Sequence, residues 1–219
     1  PTGQVVSDQE LMDAVAWARD RNIHIVVNEL YALSTYGTKS FTSITRLVDR
    51  RDDVHLIWGF SKDFAASGLR CGVLVSNNVD LIAAVHVHAM FSVVSGDTQH
   101  LFSTMLTDPD WLAEYIAEMR ARLAASSQAV IEVLTSKGVG HLEADAGLFL
   151  FADMRAALAI DTWEAEATAW RTMLEHTGVN LTPGASCRAP EPGFMRICFA
   201  TEQPDVVVDA LDRALSSVL

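Results

Sequence analysis

Val54-His55-Leu56-Ile57-Trp58-Gly59-Phe60-Ser61-Lys62-Asp63-Phe64-Ala65-Ala66-Ser67-Gly68-Leu69-Arg70-Cys71-Gly72-Val73-Leu74-Val75-Ser76 is two apolar runs joined by a short loop. The first run ends at Ser61-Lys62, and Arg70 opens the second. Lysine is scarce in this chain, at Lys39, Lys62 and Lys137 only, and Lys62 stands where a buried strand would run out. An amine at a strand end loses water; desolvation disfavours its charged form and frees it to attack a carbonyl. A guanidinium eight residues on is a fixed fork of donors suited to a phosphate. Together they read as an aldehyde-capturing amine beside a phosphate clamp, the pair that pyridoxal phosphate needs. On spacing alone, a solvated lysine and one half of a surface ion pair explain the same residues.

Outward from this stretch the pattern alternates. Ser7-Asp8-Gln9-Glu10 is a capping box, and Leu11, Val15 and Ala18 are spaced for one helix face. Asn22 closes that helix. Ile23 to Val27, Val54 to Trp58 and Cys71 to Val75 read as strands buried on both faces, which implies a mainly parallel sheet with helices on both sides. Residues Tyr31 to Arg51 are polar and irregular, with a short helix around Ile44 to Val48. Asp80 to Leu106 reads as a long helix interrupted at Ser92 to Gly96. Asp108-Pro109-Asp110 starts another helix that Gly138 ends, because proline suits a first turn and glycine a helix end.

Beyond that point the composition changes. Val139 to Glu143 and Leu148 to Ala152 look like antiparallel strands around Asp145-Ala146-Gly147. Trp163 to His176 reads as a helix, Val179 to Thr182 as extended, Met195 to Phe199 as a strand and Asp205 to Val218 as a closing helix. A domain boundary is expected inside the long helix near residue 115, dividing 1–115 from 116–219.

The bulk properties narrow the function. The 219 residues, half of them hydrophobic, suffice for a real core. A net charge of -12 argues against a nucleic-acid or anionic-membrane surface, either of which needs basic clusters. No apolar stretch approaches a bilayer span, and no charged-then-apolar leader opens the chain. Cys71, Cys187 and Cys198 lie in or beside apolar segments and read as reduced thiols of a cytoplasmic protein. The histidines show no His-x-x-x-His spacing, and no metal site is expected.

Ser61-Lys62-Asp63 through Gly68-Leu69-Arg70-Cys71-Gly72 resembles the cofactor-lysine segment of fold-type I pyridoxal-phosphate enzymes, the aspartate aminotransferase superfamily. Other segments agree in the family's order. Pro1-Thr2-Gly3 looks like the end of its Asn-Pro-x-Gly turn, and Asn28-Glu29-Leu30-Tyr31 like its Asp-Glu-Ile-Tyr strand end. Asn180-Leu181-Thr182-Pro183-Gly184-Ala185-Ser186-Cys187 and Glu191-Pro192-Gly193-Phe194-Met195-Arg196-Ile197-Cys198-Phe199-Ala200 are similar in particular to 1-aminocyclopropane-1-carboxylate synthases. The run from Gly147 to Arg155 points to the same branch. The resemblance spans essentially the whole chain.

It implies an α/β fold: the second half of a mainly parallel cofactor-binding sheet domain, followed by a small α+β C-terminal domain. It implies that Lys62 forms the Schiff base with pyridoxal 5'-phosphate and later moves the substrate's α-proton. Arg70 and Ser61 would hold the phosphate, and Tyr31 would hydrogen-bond the phenolic oxygen. Arg196, isolated between Met195 and Ile197 in an apolar strand, would grip the substrate's α-carboxylate with two parallel hydrogen bonds. Read without the family, Tyr31 is an ordinary strand-end tyrosine, and Arg196 points to solvent from an edge strand. The implied function is conversion of an α-amino acid through an external aldimine. In the synthase-like route S-adenosylmethionine loses its α-proton and the sulfonium leaves from the γ-carbon. An aminotransferase and a degenerate non-catalytic subunit are the alternatives. Trp58, Cys71, Phe149 and Trp170 have only a packing explanation.

Three departures from the family matter. Asn28 stands where an aspartate pairs with the protonated ring nitrogen, so a neutral amide replaces a charge. Gly59 replaces a serine usual in the phosphate site. The N-terminal half of the family's fold is not in this sequence, so another chain or an upstream segment is expected to supply it, and the complete unit is expected to be a homodimer.

Overall fold

The computed structural model describes residues 1–49 and 52–219, and the chain forms two compact units. Val5–Thr35 with Lys39–Glu118 make the first; Pro1–Gln4, Tyr36–Thr38 and Met119–Leu219 make the second. Arg50 and Arg51, the end of the stretch expected to be irregular, lie outside the described residues.

The first unit opens with helix α1, Asp8–Arg19. Its capping box is complete: Ser7 Oγ accepts from the Glu10 N–H at 3.3 Å, and the Glu10 carboxylate accepts from the Ser7 N–H at 2.9 Å. After the turn at Asn22 come β1 (Ile25–Asn28), the single-turn helix α2 (Ile44–Leu47) and β2 (Val54–Gly59), with β1 and β2 parallel from Ile25↔Val54 to Asn28↔Ile57. Without a break β2 passes into α3 (Phe60–Asp63), and β3 (Gly72–Val75) returns antiparallel to it. Helices α4 (Val79–Ala89) and α5 (Gly96–Leu106) are separated where the sequence predicts an interruption. Pro109 then begins α6, Pro109–Ser136, which Gly138 ends at φ +69°. Val15, Ile44, Val48, Val54 and Leu56 form the core between α1, α2 and the sheet. Each such side chain stabilises the fold by about 1.5–3 kcal/mol when fully buried.

Within the sheet, β1–β2 is parallel and β2–β3 antiparallel, in the order β1-β2-β3. One expectation needs correction: the outer strands are not buried on both faces, since Val26 is 57% exposed, and Ile23 and Val73 are exposed too. The apolar core of this unit covers the face that carries Ile25, Val27, Val54 and Leu56, and β1 alternates between half-buried and exposed positions. The β-branched run that suggests two covered faces has only one covered by this core.

In the second unit, β4 (Gly140–His141), β5 (Phe149–Asp153), β6 (Thr182–Pro183) and β7 (Phe194–Cys198) form an antiparallel sheet in the order β4-β5-β7-β6. Helices α7 (Arg155–Leu158), α8 (Trp163–Thr177) and α9 (Pro204–Ser216) complete it. Alternation sorts the sheet's faces. Leu150, Ala152, Met195 and Ile197 enter a core that also holds Leu134, Met173, Leu211 and Leu215. Two distant segments join this unit through one loop. Asp145 and Ala146 N–H groups donate to the Gly3 carbonyl at 2.8 and 2.9 Å, and the Tyr36 and Gly37 N–H groups donate to the Asp145 carbonyl, both at 2.9 Å. The single turns α3 and α7 leave no trace in the apolar pattern, being too short for a helical period. Among the described residues no helix is long and apolar enough to cross a membrane.

Candidate functional site

Parallel pairing puts the C-terminal ends of β1 and β2 on one edge of the first unit's sheet, and antiparallel β3 starts from that same edge. Open α/β sheets bind ligands at such ends. Asn28 is the last residue of β1, Tyr31 lies in the loop after it, Ser61 and Lys62 form the turn after β2, and Arg70 precedes β3. The structure therefore gathers these candidates at one edge. Arg196 belongs to β7 in the other unit.

Lys62 and Ser61 are half-buried, and the Lys62 carbonyl accepts from the Ala65 N–H at 3.1 Å to close the turn. Arg70 is exposed at φ +51°, a left-handed conformation that a non-glycine residue seldom adopts, and its Nη1 donates to the Ser67 carbonyl at 2.9 Å. Asn28 is exposed, and its Oδ1 accepts from the Leu30 N–H at 3.1 Å. Tyr31 is half-buried in a turn closed by the Ser34 N–H donating to its carbonyl at 3.1 Å.

Two carboxylates that sequence reasoning left without a role hold this edge together. Asp63 is completely buried: Oδ1 accepts from Ser34 Oγ at 2.7 Å, and Oδ2 from the Leu33 N–H at 3.1 Å and Trp58 Nε1 at 2.8 Å. Its carbonyl accepts from the Tyr115 hydroxyl at 3.0 Å, and burial, then the Asp63 charge, pushes that phenol up. Glu29 is buried beside β1, where its carboxylate accepts from the Ile44 N–H at 2.7 Å and so caps α2. The signal for Asp63 was an acid flanked by Phe60 and Phe64. Its partners Leu33 and Ser34, about thirty residues upstream, are invisible to a local pattern.

Gly59 has an extended backbone at φ -175°, so close approach rather than conformation calls for glycine there. A Cβ would meet the Cys71 carbonyl at 3.0 Å, too near for a serine to enter without local movement. Burial pushes the neighbouring Cys71 thiol up in pKa, which keeps it a poor nucleophile.

In the second unit, Arg196 is half-buried on the face of β7 turned away from the apolar core. Its guanidinium lies 4.4 Å from the centre of the Phe149 ring, and Nη2 donates to Thr182 Oγ1 at 3.2 Å. No carboxylate pairs with it among the described residues. Stacking on Phe149 fixes the plane of the fork and leaves donors available. Trp58 and Phe149, assigned to packing from the sequence, also bond the Asp63 carboxylate and stack on the Arg196 guanidinium, respectively. Glu166 was also missed. Almost fully buried, it accepts from the Ala185 N–H at 2.9 Å and the Gly193 N–H at 2.7 Å, tying together the two motif segments before Arg196. Its signal is a carboxylate seven residues before buried Met173 on one helix face.

None of the candidate residues lines the recess of about 620 Å³ between the start of α8 and the chain's end. No group of three His, Cys, Asp or Glu stands together as a metal-ligand set among the described residues.

The chain is 34% identical over 218 residues to 1-aminocyclopropane-1-carboxylate synthase 6 of Arabidopsis thaliana, covering 97% of this chain and 44% of that protein. It is 27% identical to the solved aspartate aminotransferase of Thermotoga maritima, with a TM-score of 0.79 over all of this chain and 52% of the other. The aromatic aminotransferase of Pyrococcus horikoshii, at 20% identity and a TM-score of 0.86, shares the fold over 99% of this chain and 56% of its own. The chain spans less than half the length of the curated relatives it matches. With the family profile matching residues 1–213, the chain belongs to the aminotransferase class I and II family of pyridoxal-phosphate enzymes.

Proposed function

We propose that this chain carries the cofactor lysine and the substrate-carboxylate arginine of an enzyme that transforms an α-amino acid, with 1-aminocyclopropane-1-carboxylate synthase chemistry as the leading reading. The observation that carries it is the 34% identity to such a synthase across 97% of the chain.

The donor set at the sheet edge fits pyridoxal phosphate: an amine for the aldehyde, a guanidinium and a hydroxyl for the phosphate, a phenol for the phenolic oxygen and an amide for the ring nitrogen. Bound there, the group would supply an electron sink for the substrate's α-carbon. Lys62 Nζ would hold the aldehyde carbon and, once released, take the α-proton. Arg70 and Ser61 would anchor the phosphate. Arg196 would hold the α-carboxylate, its fork already oriented by Phe149. With S-adenosylmethionine as substrate, the electron pair left at the α-carbon would close on the γ-carbon while the C–S bond breaks. The sulfonium would then depart as neutral methylthioadenosine. The working unit would include the N-terminal half of the fold and pair as a two-fold dimer.

The full-length polypeptide incubated with S-adenosylmethionine is expected to release methylthioadenosine. Amino-group transfer to a keto acid instead would make the protein an aminotransferase, as in its solved neighbours. Neither reaction from folded, cofactor-loaded protein would leave a non-catalytic subunit. Borohydride reduction and peptide mapping should place the pyridoxyl label on Lys62; a label on Lys39 or Lys137 would overturn the assignment.

A further inference from the structure

We infer that Asp63 is a positioning residue that fixes the Tyr31 turn against the Lys62 turn, so that Tyr31 donates to the cofactor's phenolic oxygen through a placement that Asp63 sets. This rests on the proposed roles of Lys62 and Tyr31.

The argument starts from the fully buried carboxylate and its donors. Ser34 Oγ and the Leu33 N–H belong to the turn that Tyr31 begins, and Trp58 Nε1 belongs to β2. Asp63 itself is the residue after Lys62 and ends α3. One side chain therefore joins the strand and the lysine turn to the Tyr31 loop, whose donors lie 29 and 30 residues upstream. The backbone of Asp63 is fixed in turn by the Tyr115 hydroxyl, and Tyr115 stacks on Phe64 with ring centres 5.1 Å apart. Phe60, Phe64 and Trp58 surround this point with aromatic rings in contact. No cation pairs with Asp63 among the described residues. A carboxylate in such surroundings is costly to desolvate, and an apolar side chain would fill the same space at less cost. What the apolar side chain lacks is three acceptor directions aimed at the two loops and the strand.

The variants separate charge from connection. Asp63→Asn can keep Oδ1 on the Leu33 and Trp58 donors and turn Nδ2 to Ser34 Oγ, which also accepts. Asp63→Ala removes all three bonds, and Ser34→Ala removes one while leaving the buried carboxylate in place. In the full-length polypeptide loaded with pyridoxal phosphate, the readout is the pH midpoint of the visible absorption band. Near-ultraviolet circular dichroism of the same samples reports the fold. Losing a donor on the phenolic oxygen moves that midpoint, so Tyr31→Phe and Asp63→Ala should each move it in one direction by about half a pH unit or more. The double variant should match Tyr31→Phe alone. Ser34→Ala should move it part-way, and Asp63→Asn least. Should Asp63→Ala fail to fold, Ser34→Ala combined with Tyr31→Phe gives the same comparison. Unmoved midpoints in the folded Asp63 and Ser34 variants, or a shift that adds to that of Tyr31→Phe, overturn the positioning role while leaving Lys62 and Tyr31 as assigned. An unmoved midpoint in Tyr31→Phe removes the underlying reading and the positioning role with it.

Discussion

Asn28 puts a neutral amide where the sequence resemblance implies a carboxylate facing the cofactor ring. Its Oδ1 is committed to the Leu30 N–H, so the amide NH₂ is the group left to face a ligand. An NH₂ donates, and a donor suits an unprotonated ring nitrogen; a carboxylate there would instead favour the protonated ring, at about 1.4 kcal/mol per pKa unit. In protein loaded with ¹⁵N-labelled cofactor, the ring-nitrogen resonance should fall in the unprotonated range and move to the protonated range in Asn28→Asp. An identical resonance in both would show that Asn28 does not meet the ring. Arg196 gives the matching prediction on the substrate side. Arg196→Lys keeps the charge and loses both the fork and the stack on Phe149, so amino-acid affinity should drop roughly tenfold or more while cofactor binding persists. Equal substrate affinity measured by spectral titration would move the carboxylate site elsewhere. At this scale the sequence shows what carries a motif: Lys62, Arg70 and Arg196 stand out as candidates from their neighbours in the chain. Asp63, Glu29 and Glu166 do not, because all their donors except Trp58 lie between 15 and 30 residues away and only folding brings them near.

At the scale of elements, helices with explicit end signals are read best. Ser7 and Glu10 mark the start of α1, Pro109 the start of α6, and Gly138 its end. Replacing Ser7 with Ala should destabilise the first unit by about 1 kcal/mol in chemical unfolding. Strands are read less well, since an apolar run reports what the fold can cover and not what the chain itself covers. A second feature of this sheet also escaped the pattern. His24, just before β1, stacks on His55 of β2, with 2.9 Å between His24 Nδ1 and His55 Nε2, and Ser76 Oγ lies 2.8 Å from His55 Nδ1. Burial first, and then the neighbouring His24 charge, hold His55 below its ordinary pKa of 6.5, against a smaller opposing pull from Asp53. The unfolded chain therefore binds a proton more readily than the folded one. The stability tied to His55 is present above pH 6.5 and is lost as the pH falls through that value towards the lower folded pKa. Urea midpoints between about pH 8 and pH 5 should fall more steeply in the parent protein than in His55→Gln. Parallel pH profiles would mean that the pair carries no such linkage.

At the scale of the whole molecule, one segment exposes a run of apolar residues. Val79, Val87, Met90, Phe91 and Val93 lie on α4 and the loop after it, with Phe91 87% exposed, and no residue of α4 is buried. Val26 adds an apolar position on the uncovered face of β1. An amphipathic helix on a finished surface keeps one apolar face inward, whereas α4 has only Leu81 and Ile82 half-buried, so its other apolar residues meet water wherever this chain stands alone. Contiguous apolar surface of this kind marks an interface or an aggregation hazard, and the curated relatives are more than twice as long as the stretch they share with this chain. We therefore expect the working molecule to include an additional polypeptide segment that completes the first unit and covers α4. The 219 residues expressed alone should self-associate in sedimentation velocity and bind a hydrophobic dye. Charged substitutions at Met90 and Phe91 should reduce both effects in the isolated chain, and in the full-length polypeptide they should lower stability, because there they would bury a charge. A monodisperse, cofactor-binding monomer of these 219 residues, silent to the dye, would show that α4 needs no cover and that the unit is complete in itself.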